Sequence, residues 1–316
     1  MNILRLSLAA LLAVFLLAGC EKPADRPTPP NDKIIPTGHK FRTSRPAAQL
    51  SLIVLGYHGI GTDAAGYNLS ADKFKNQVGY LAARGYQPIG IKELYGHLYN
   101  KEEIPAKSFL LTFDDALISD YNLVFPYLVE NGLKAIFFVP TDHIGREGNL
   151  TKQQIREMNG HDCCDFGSHS RSHKNLYTLN AEALAEELGG SKEILEEITG
   201  EEVKAFAYPN GFFTERSITA LRDNNYKLAF TVMPGRNDFP ASPFEIRRIT
   251  LSESVSDENF KMMVDGDPDF YRPYYSEMYA KSTRNKLDGI AHLCEEELRR
   301  YEGITYSFPD NSPSPR

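Results

Sequence analysis

The sequence has no cluster of basic residues. Lys and Arg together number 35 against 42 Asp and Glu, and the formal net charge is −7 at pH 7. Proteins that bind nucleic acid or an anionic surface need a concentrated positive face. The charge balance therefore disfavours a nucleic-acid partner, and it suits a neutral or cationic polymer better.

The chain also lacks a hydrophobic run that would span a bilayer comfortably, which takes about 20 residues. The apolar stretch at residues 6–17 follows Arg5 and leads into the segment LAGC at 17–20. This arrangement resembles the lipobox of bacterial lipoproteins, so we expect residues 1–19 to be a cleaved signal peptide and Cys20 to carry a lipid anchor. A plain secretory signal peptide with an incidental Cys, or a retained anchor helix, is the alternative.

The remaining chain divides into three parts. Residues 20–48 contain six Pro and few apolar residues, which predicts an extended tether. Residues 49–265 alternate apolar and amphipathic segments and are long enough for one domain with a sizeable core. Residues 266–316 are read as a C-terminal extension of unknown role, with one helix over 276–300. The resemblance to lipoproteins also implies a location: in a Gram-negative cell, Glu21 rather than Asp after the lipobox Cys implies the outer membrane, facing the periplasm.

Cysteine is scarce, with four in the chain and three after Cys20. An odd number permits at most one internal disulfide in an oxidising compartment. The adjacent pair Cys163 and Cys164 fits small buried residues entering a strand. A strained disulfide between them, or a metal site with His161, is the alternative.

Hydrophobic periodicity predicts repeated β–α units. The predicted strands cover residues 50–57, 107–113, 135–139, 165–167, 204–208, 227–232 and 246–251. The predicted helices cover residues 70–84, 120–131, 151–158, 180–199, 214–225 and 257–264, and the Gly189-Gly190 pair is expected to bend or break the helix that contains it. Such units imply a parallel sheet wrapped by helices, either open or closed into a barrel.

Two short motifs carry most of the chemistry. The segment TFDD at 112–115 ends an apolar run, so Asp114 and Asp115 should lie at the end of a strand. In HSRSH at 169–173, the four-residue spacing of His169 and His173 predicts that both lie on one side of a helical turn. One Asp with two His suits a catalytic divalent ion with a position left for water, and the spare Asp can take a proton from that water. Zinc suits these ligands, and cobalt, nickel or iron would fit similar ones.

Together with AYPNG at 207–211, these motifs resemble the first three motifs of the polysaccharide deacetylases, also called NodB-homology proteins or family-four carbohydrate esterases. The resemblance covers residues 50–265 and implies a distorted (β/α) barrel with its site at the carboxyl ends of the strands. It implies that Asp115, His169 and His173 bind the metal and that Asp114 is the catalytic base. It also implies that the backbone N–H of Asn210 stabilises the oxyanion.

The sequence departs from the family pattern at two places. Ala207 stands where the fuller motif has an Arg that orients the base, and Arg171, Arg247 or Arg248 could replace it. The family's last motif, which supplies a His as general acid, has no match after residue 211. Instead IVLGYH at 53–58 resembles that motif moved to the front of the chain. This order is similar to the deacetylases that act on poly-β-1,6-N-acetylglucosamine in biofilm matrices, and it makes His58 the expected acid. A hydrogen-bonded structural His is the alternative.

The resemblance therefore implies a membrane-anchored, metal-dependent hydrolase that removes N-acetyl groups from a β-linked N-acetylglucosamine polymer and releases acetate. Poly-β-1,6-N-acetylglucosamine is the expected substrate, with chitooligosaccharide, peptidoglycan or an O-acetylated glycan left open. A non-catalytic glycan-binding lipoprotein is the alternative from another class. The missing Arg at Ala207 is the feature that favours it.

Overall fold

A computed structural model of the protein describes residues 51–61, 67–238 and 241–266, together with residues 271, 275, 276, 291, 294 and 295. The predicted signal peptide, Cys20 and the tether lie outside these residues, as does nearly all of the predicted helix over 276–300. None of the helices in the described ranges is long and apolar enough to cross a membrane.

The described residues form one sheet of nine strands with helices between them. The strands are β1 (Ser51–Tyr57), β2 (Gln87–Pro88), β3 (Lys107–Asp114), β4 (Ala135–Val139), β5 (Cys164–Ser168), β6 (Ala205–Ala207), β7 (Leu228–Phe230), β8 (Asn237–Asp238) and β9 (Ile249–Thr250). The helices are α1 (Ala71–Ala83), α2 (Ile91–Asn100), α3 (Phe125–Asn131), α4 (Lys152–Asn159), α5 (Ala181–Ala185), α6 (Ser191–Thr199), α7 (Glu215–Asp223) and α8 (Asp257–Asp265).

The strand order is β7-β6-β5-β4-β3-β1-β8, with β2 added beside β3 and β9 beside β1. Neighbouring strands pair in parallel except at β8, which runs antiparallel to β1. Ile246 forms a single parallel bridge to Phe230 of β7, and β9 pairs with Leu55 and Gly56 of β1. The segment 246–250 therefore connects the two ends of the sheet and gives the expected distorted barrel.

The predicted strand over 246–251 is regular only at Ile249–Thr250. Its first residue pairs with β7 and its last residues pair with β1. The segment crosses from one neighbour to the other, so most of it has no continuous ladder. Arg248 lies in this crossing, immediately before β9.

Both faces of the sheet are buried, which explains the continuous apolar runs of its strands. One face packs against the helices. Its strand residues include Ile53, Leu55, Tyr57, Phe109, Leu111 and Phe113, and they lie in one cluster with the helix residues Phe74, Val78 and Leu128. The other face forms a second cluster that includes Leu52, Val54, Leu110, Ile136, Phe138 and Phe230. Since side chains alternate along a strand, Thr112 and Asp114 share the second face with Leu110.

The predicted helix over 120–131 is interrupted near its middle. Residues Asp120–Val124 form a π-helical turn in which the N–H of Phe125 donates to the carbonyl of Asp120, and α3 follows. Pro126 has no N–H to donate to the preceding turn, so a regular α-helix cannot run through this point. The predicted helix over 180–199 contains a similar π-helical turn at Glu186–Gly190, where the glycine pair was expected to bend it.

Cys163, Cys164 and Cys294 are free thiols. Cys164 begins β5 and is buried, whereas Cys163 is half-buried with its Sγ atom 3.5 Å from that of Cys164. Cys294 is also buried. The pair therefore lies where small residues entering a strand were expected.

Candidate active site

The predicted functional residues follow several neighbouring parallel strands. His58 follows β1, Asp114 ends β3, and His169 follows β5. Asn210 lies in a short turn after β6. Because the carboxyl ends of parallel strands meet at one edge of a sheet, residues far apart in the chain are brought to the same end of the barrel.

Asp115, His169 and His173 form a compact triangle of ligand atoms. The Oδ1 atom of Asp115 lies 3.9 Å from Nε2 of His169 and 3.6 Å from Nε2 of His173. The two imidazole Nε2 atoms are 3.2 Å apart. Two ligand atoms bound about 2.05 Å from a tetrahedral zinc ion would be about 3.4 Å apart. These three side chains therefore fit around one divalent ion, and they are the one group of this kind in the described part of the chain.

The tautomer of His169 favours the same interpretation. Its Nδ1–H donates to the backbone carbonyl of Ala207 at 2.8 Å, which leaves the lone pair of Nε2 facing Asp115. Burial lowers the pKa of His169 to about 4, although the nearby Asp114 carboxylate acts in the opposite direction. The imidazole is therefore neutral at pH 7, as a metal ligand must be.

The prediction that His169 and His173 share a helical turn is wrong. They lie in a loop in which Ser170 and His173 have left-handed backbone angles, with φ of 62° and 60°. The N–H of Ser170 donates to Ser168 Oγ, and the N–H of His173 donates to Ser170 Oγ. Side-chain oxygens thus accept hydrogen bonds from N–H groups that would donate to carbonyls in a helix. The loop folds back, so that the two imidazole rings converge.

Glu187 accepts hydrogen bonds from two further backbone N–H groups of this loop. Its carboxylate accepts hydrogen bonds from the N–H of Arg171 at 3.0 Å and from the N–H of Ser172 at 2.8 Å. The hydroxyl of Ser172 donates to its other oxygen, and Nζ of Lys174 lies 3.6 Å away. Glu187 is itself buried, in the π-helical turn between α5 and α6. Burial alone would raise its pKa, but the hydrogen bonds from Ser172 lower it, so the carboxylate is ionised.

Arg248 forms two hydrogen bonds to the carboxylate of Asp114. The guanidinium donates from Nη1 to Oδ1 at 2.7 Å and from Nη2 to Oδ2 at 2.8 Å. The side chains are 1% and 4% exposed. Burial by itself would raise the pKa of Asp114, but the charge and hydrogen bonds of Arg248, with a contribution from His169, hold it well below its usual range. Asp114 is therefore an ionised carboxylate of fixed orientation.

Of the three arginines considered in place of the one missing at Ala207, Arg248 is the one that the structure shows bound to Asp114. Its Nε also donates to the carbonyl of Thr231 at 2.7 Å, which fixes the guanidinium plane. The other two arginines considered lie elsewhere. Arg171 pairs with Asp142 and Glu186 at the surface, and the backbone N–H of Arg247 donates to Oδ1 of Asn237.

His58 lies beside Asp114 on the adjoining strand. Tyr57 pairs with Phe113 in the register of β1 and β3, so the next residue of each strand shares the inner face. A charge on His58 contributes to the low pKa of Asp114. The His58 ring stacks on Tyr67, with ring centroids 5.1 Å apart. Its Nδ1 is buried without a hydrogen-bond partner among the described residues, so the structure does not show the hydrogen-bonded structural His considered above.

Asn210 lies in the turn Pro209–Gly211 with a left-handed φ of 58°. Its side-chain amide donates to Oδ1 of Asn175 at 2.8 Å, two residues beyond His173. The turn is therefore tied to the loop that carries both imidazoles. The role of its backbone N–H stays a prediction.

Left-handed backbone is concentrated around the site. Asp115, Ala116, Ser170, His173 and Asn210 all have positive φ although none is glycine. Such conformations cost free energy and persist only where the surroundings hold them, as in active sites. The strained turns orient the carboxylate and the imidazoles toward a common point.

Comparison with known proteins gives a consistent picture. Residues 101–229 match the family model described as polysaccharide deacetylase. The chain carries a polysaccharide deacetylase domain. The Bacillus subtilis protein YxkH is 27% identical over 278 residues, which are 80% of this chain and 97% of that protein. The poly-β-1,6-N-acetyl-D-glucosamine N-deacetylase of Staphylococcus epidermidis is 24% identical over 230 residues, which are 69% of this chain and 78% of the relative.

The fold of the deacetylase domain is shared with solved structures. The Streptococcus pyogenes deacetylase PplD, solved in complex with acetate, superposes with a TM-score of 0.63 and 27% identity, over 68% of this chain and 99% of that one. The distorted α/β barrel predicted from the sequence is thus confirmed.

The family match contains only part of the site of this deacetylase domain. Asp114, Asp115, His169, His173 and Asn210 lie within residues 101–229, whereas His58 and Arg248 lie outside that range. His58 directly follows β1 and Arg248 directly precedes β9, and these two strands pair with each other in the barrel. The structure therefore places two residues from outside the family match beside residues that lie within it.

Proposed function

We propose that this deacetylase domain removes N-acetyl groups from poly-β-1,6-N-acetylglucosamine, using one divalent metal ion, which we take to be zinc. The observation that carries the proposal is the triangle of Asp115, His169 and His173 beside an Asp114 that Arg248 holds ionised. A triangle of ligands with a separate, oriented carboxylate suits hydrolysis of an acyl bond by water.

The ion would be held by Asp115, His169 and His173, and when bound it would polarise the acetyl carbonyl and lower the pKa of the attacking water. The donor set of two neutral imidazoles and one carboxylate is typical of catalytic zinc. Cobalt, nickel or iron would also suit these ligands.

Asp114 accepts the proton of the attacking water. Its Oδ2 atom is 3.9 Å from Nε2 of His169, so it borders the ligand triangle without belonging to it. Arg248 prevents the carboxylate from rotating away and keeps it ionised. His58, across from Asp114 on the neighbouring strand, donates a proton to the departing amine nitrogen. Asn210 supplies a backbone N–H to the oxyanion.

Three features support the choice of substrate. One relative is named as acting on poly-β-1,6-N-acetyl-D-glucosamine and aligns over most of its own length. The His of IVLGYH precedes the other motifs, as in the permuted deacetylases that the sequence resembles. The net charge of −7 suits a polymer that becomes cationic as its amines are freed.

Acetate release tests the proposal. Protein stripped of metal and reloaded with zinc is incubated with β-1,6-linked and, in parallel, β-1,4-linked oligomers of N-acetylglucosamine. We expect zinc-dependent release that favours the β-1,6 series. Release from the β-1,4 oligomers alone would contradict the substrate, and no release from metal-loaded protein would contradict the reaction.

Two variants test the roles of individual residues. Asp114→Asn should abolish turnover while the protein still binds zinc, and an active Asp114→Asn protein would exclude Asp114 as the base. His58→Gln should lower the rate without loss of zinc. An unchanged rate would exclude His58 as the acid.

We also propose that the domain is tethered to the outer membrane, on its periplasmic side, through a lipid on Cys20. The support is the apolar segment at 6–17 followed by LAGC and the Pro-rich residues 20–48. Wild-type protein and a Cys20→Ala variant are expressed in a Gram-negative cell and extracted with a detergent that separates into two phases. The wild type should enter the detergent phase and the variant should not. Equal partition of the two proteins would contradict the anchor.

A further inference from the structure

Tyr67 is the large hydrophobic residue most exposed in the described ranges, at 66%. Its ring lies nearly parallel to that of His58, with an interplanar angle of 26° and ring centroids 5.1 Å apart. Because one face of the Tyr67 ring stacks on His58 and the residue is still largely exposed, its other face is turned to solvent. The proposed proton donor, His58, lies on the opposite side of the ring.

An open cleft of about 660 Å³ lies between the loops that follow β1 and β3. Its lining includes Gly59, Ile60, Gly61, Asn68, Leu117 and Leu123. Two of these lining residues, Gly59 and Asn68, directly follow His58 and Tyr67 in the chain, so the cleft lies next to the stacked pair. Gly61 keeps it wide, since a Cβ there would meet only Leu123, at 3.9 Å. The volume lies within the range of about 300–1,000 Å³ that is usual for ligand sites.

The chemistry of the cleft suits a neutral pyranose ring. Isoleucine and leucine side chains provide an apolar surface. Polar groups that can bond to hydroxyl or acetamido groups come from Asn68, Ser70, Asp72 and Ser119. A pyranose presents C–H groups on its faces and hydroxyl or acetamido groups around its edge. Its faces pack well on an aromatic ring, and its edge can form hydrogen bonds.

We propose that Tyr67 and this cleft bind the sugar unit next to the one that is deacetylated. This inference rests on the proposed function, because it takes an N-acetylhexosamine polymer as the ligand. Tyr67 holds the neighbouring unit on its free face and thereby places the reacting acetamido group between the ligand triangle and His58. Tyr67 therefore contributes to the affinity for a polymer more than to the chemical step.

The test compares Tyr67→Ala and Tyr67→Phe with Tyr99→Ala, a control at another exposed tyrosine whose hydroxyl donates to the carbonyl of Lys227. With a β-1,6-linked pentamer of N-acetylglucosamine, we expect Tyr67→Ala to raise KM about tenfold and to change kcat little, which corresponds to about 1.4 kcal/mol of binding. Tyr67→Phe keeps the aromatic face and should retain the wild-type KM, as should Tyr99→Ala.

A positioning role for Tyr67 would give a different result. If the ring served only to hold His58, Tyr67→Ala would lower kcat and leave KM unchanged, which would overturn the proposal. Wild-type values in Tyr67→Ala would overturn it as well.

Binding measured without turnover separates this proposal from the proposed function. Calorimetric titration of the pentamer into the zinc-loaded Asp114→Asn protein is compared with the same titration of Asp114→Asn combined with Tyr67→Ala. Affinity about tenfold weaker in the double variant supports the sugar site even if the wild type releases no acetate. Equal affinities, or no pentamer binding to Asp114→Asn, overturn it.

Discussion

The pairing of Asp114 with Arg248 predicts a large effect on stability. Both side chains are buried, and two hydrogen bonds of 2.7 and 2.8 Å join them. Arg248→Met would leave the Asp114 carboxylate buried without its counter-charge and the carbonyl of Thr231 without its donor. Breaking one side of a buried ion pair typically costs about 3–5 kcal/mol. That is a substantial share of the about 5–15 kcal/mol by which a folded protein is stable.

The assay is urea denaturation followed by circular dichroism, with a chelator present so that metal binding does not contribute. Arg248→Met, Asp114→Asn and the double variant are compared with the wild type. Each single variant leaves one buried charge unpaired, whereas the double variant removes both charges. We therefore expect the double variant to be less destabilised than the sum of the two single effects, by about 2 kcal/mol or more.

Arg171→Met provides the matched control. Arg171 also pairs with carboxylates, those of Asp142 and Glu186, but its side chain is 40% exposed. Solvent screens such pairs, so its loss should cost less than about 1 kcal/mol. If Arg248→Met unfolded at the same urea concentration as Arg171→Met, or if the two single effects simply added in the double variant, the argument for a buried, coupled pair would be refuted.

Three further predictions concern the surroundings of the site. Glu187→Ala should weaken zinc binding about 10- to 100-fold in competition with a chromophoric chelator, because the N–H groups of Arg171 and Ser172 then lose Oε2, the one oxygen that accepts from both. Glu186→Ala is the control, and equal affinities of the two variants would count against this role. Asp120→Asn should stabilise the metal-free protein increasingly from about pH 4 upward. Burial, with the charges of Asp115 and Asp114 adding to it, raises the pKa of Asp120 in the folded state only, and each unit of that rise corresponds to about 1.4 kcal/mol. A stability difference in urea that is the same at pH 4 and pH 8 would contradict this. Gly167→Ala should destabilise by about 1–3 kcal/mol, because its Cβ would lie 2.6 Å from the Phe138 ring, while Gly61→Ala should not; equal denaturation midpoints would exclude the clash.

The sign of the Asp120 effect follows from its environment. Both carboxylate oxygens are buried without a hydrogen-bond partner among the described residues. The folded protein therefore favours the protonated form, and stability that is present below the unfolded pKa of about 3.9 is lost as pH rises toward the folded pKa. Asn is neutral at every pH, so it avoids this loss.

The sequence predicted the longer strands and the grouping of Asp115, His169 and His173 well, because both follow from local patterns. Apolar runs bounded by polar turns marked β1, β3 and β4, and the carboxylates of TFDD came directly after such a run. Helix α2 was missed although Ile91, Leu94, Tyr95 and Leu98 carry the helical period. The helix is short, lying between Gly90 and Lys101, and Glu93 is the one strong sequence signal for its N-terminus.

Contacts across the barrel were beyond sequence reasoning. Three arginines could have oriented Asp114, and only the closure of the sheet by residues 246–250 brings Arg248 to it across 134 positions of the chain. The loop of HSRSH was expected to be helical because its spacing fits a helical turn. The competing acceptor, Glu187, lies 15 positions from Ser172 in another element, and no pattern in the loop itself reveals it.

The position of His58 at the front of the chain has a physical explanation in the same closure. A (β/α) barrel joins its first and last strands, so a side chain at the carboxyl end of either strand reaches the same edge of the site. Here β1 lies between β3, which carries Asp114, and β9, which follows Arg248. The proposed acid, the base and the arginine that binds the base thus lie at or next to the ends of three adjoining strands. The pairing of Tyr57 with Phe113 and of Gly56 with Thr250 places these residues together. Their order along the chain therefore does not limit where they lie in the site.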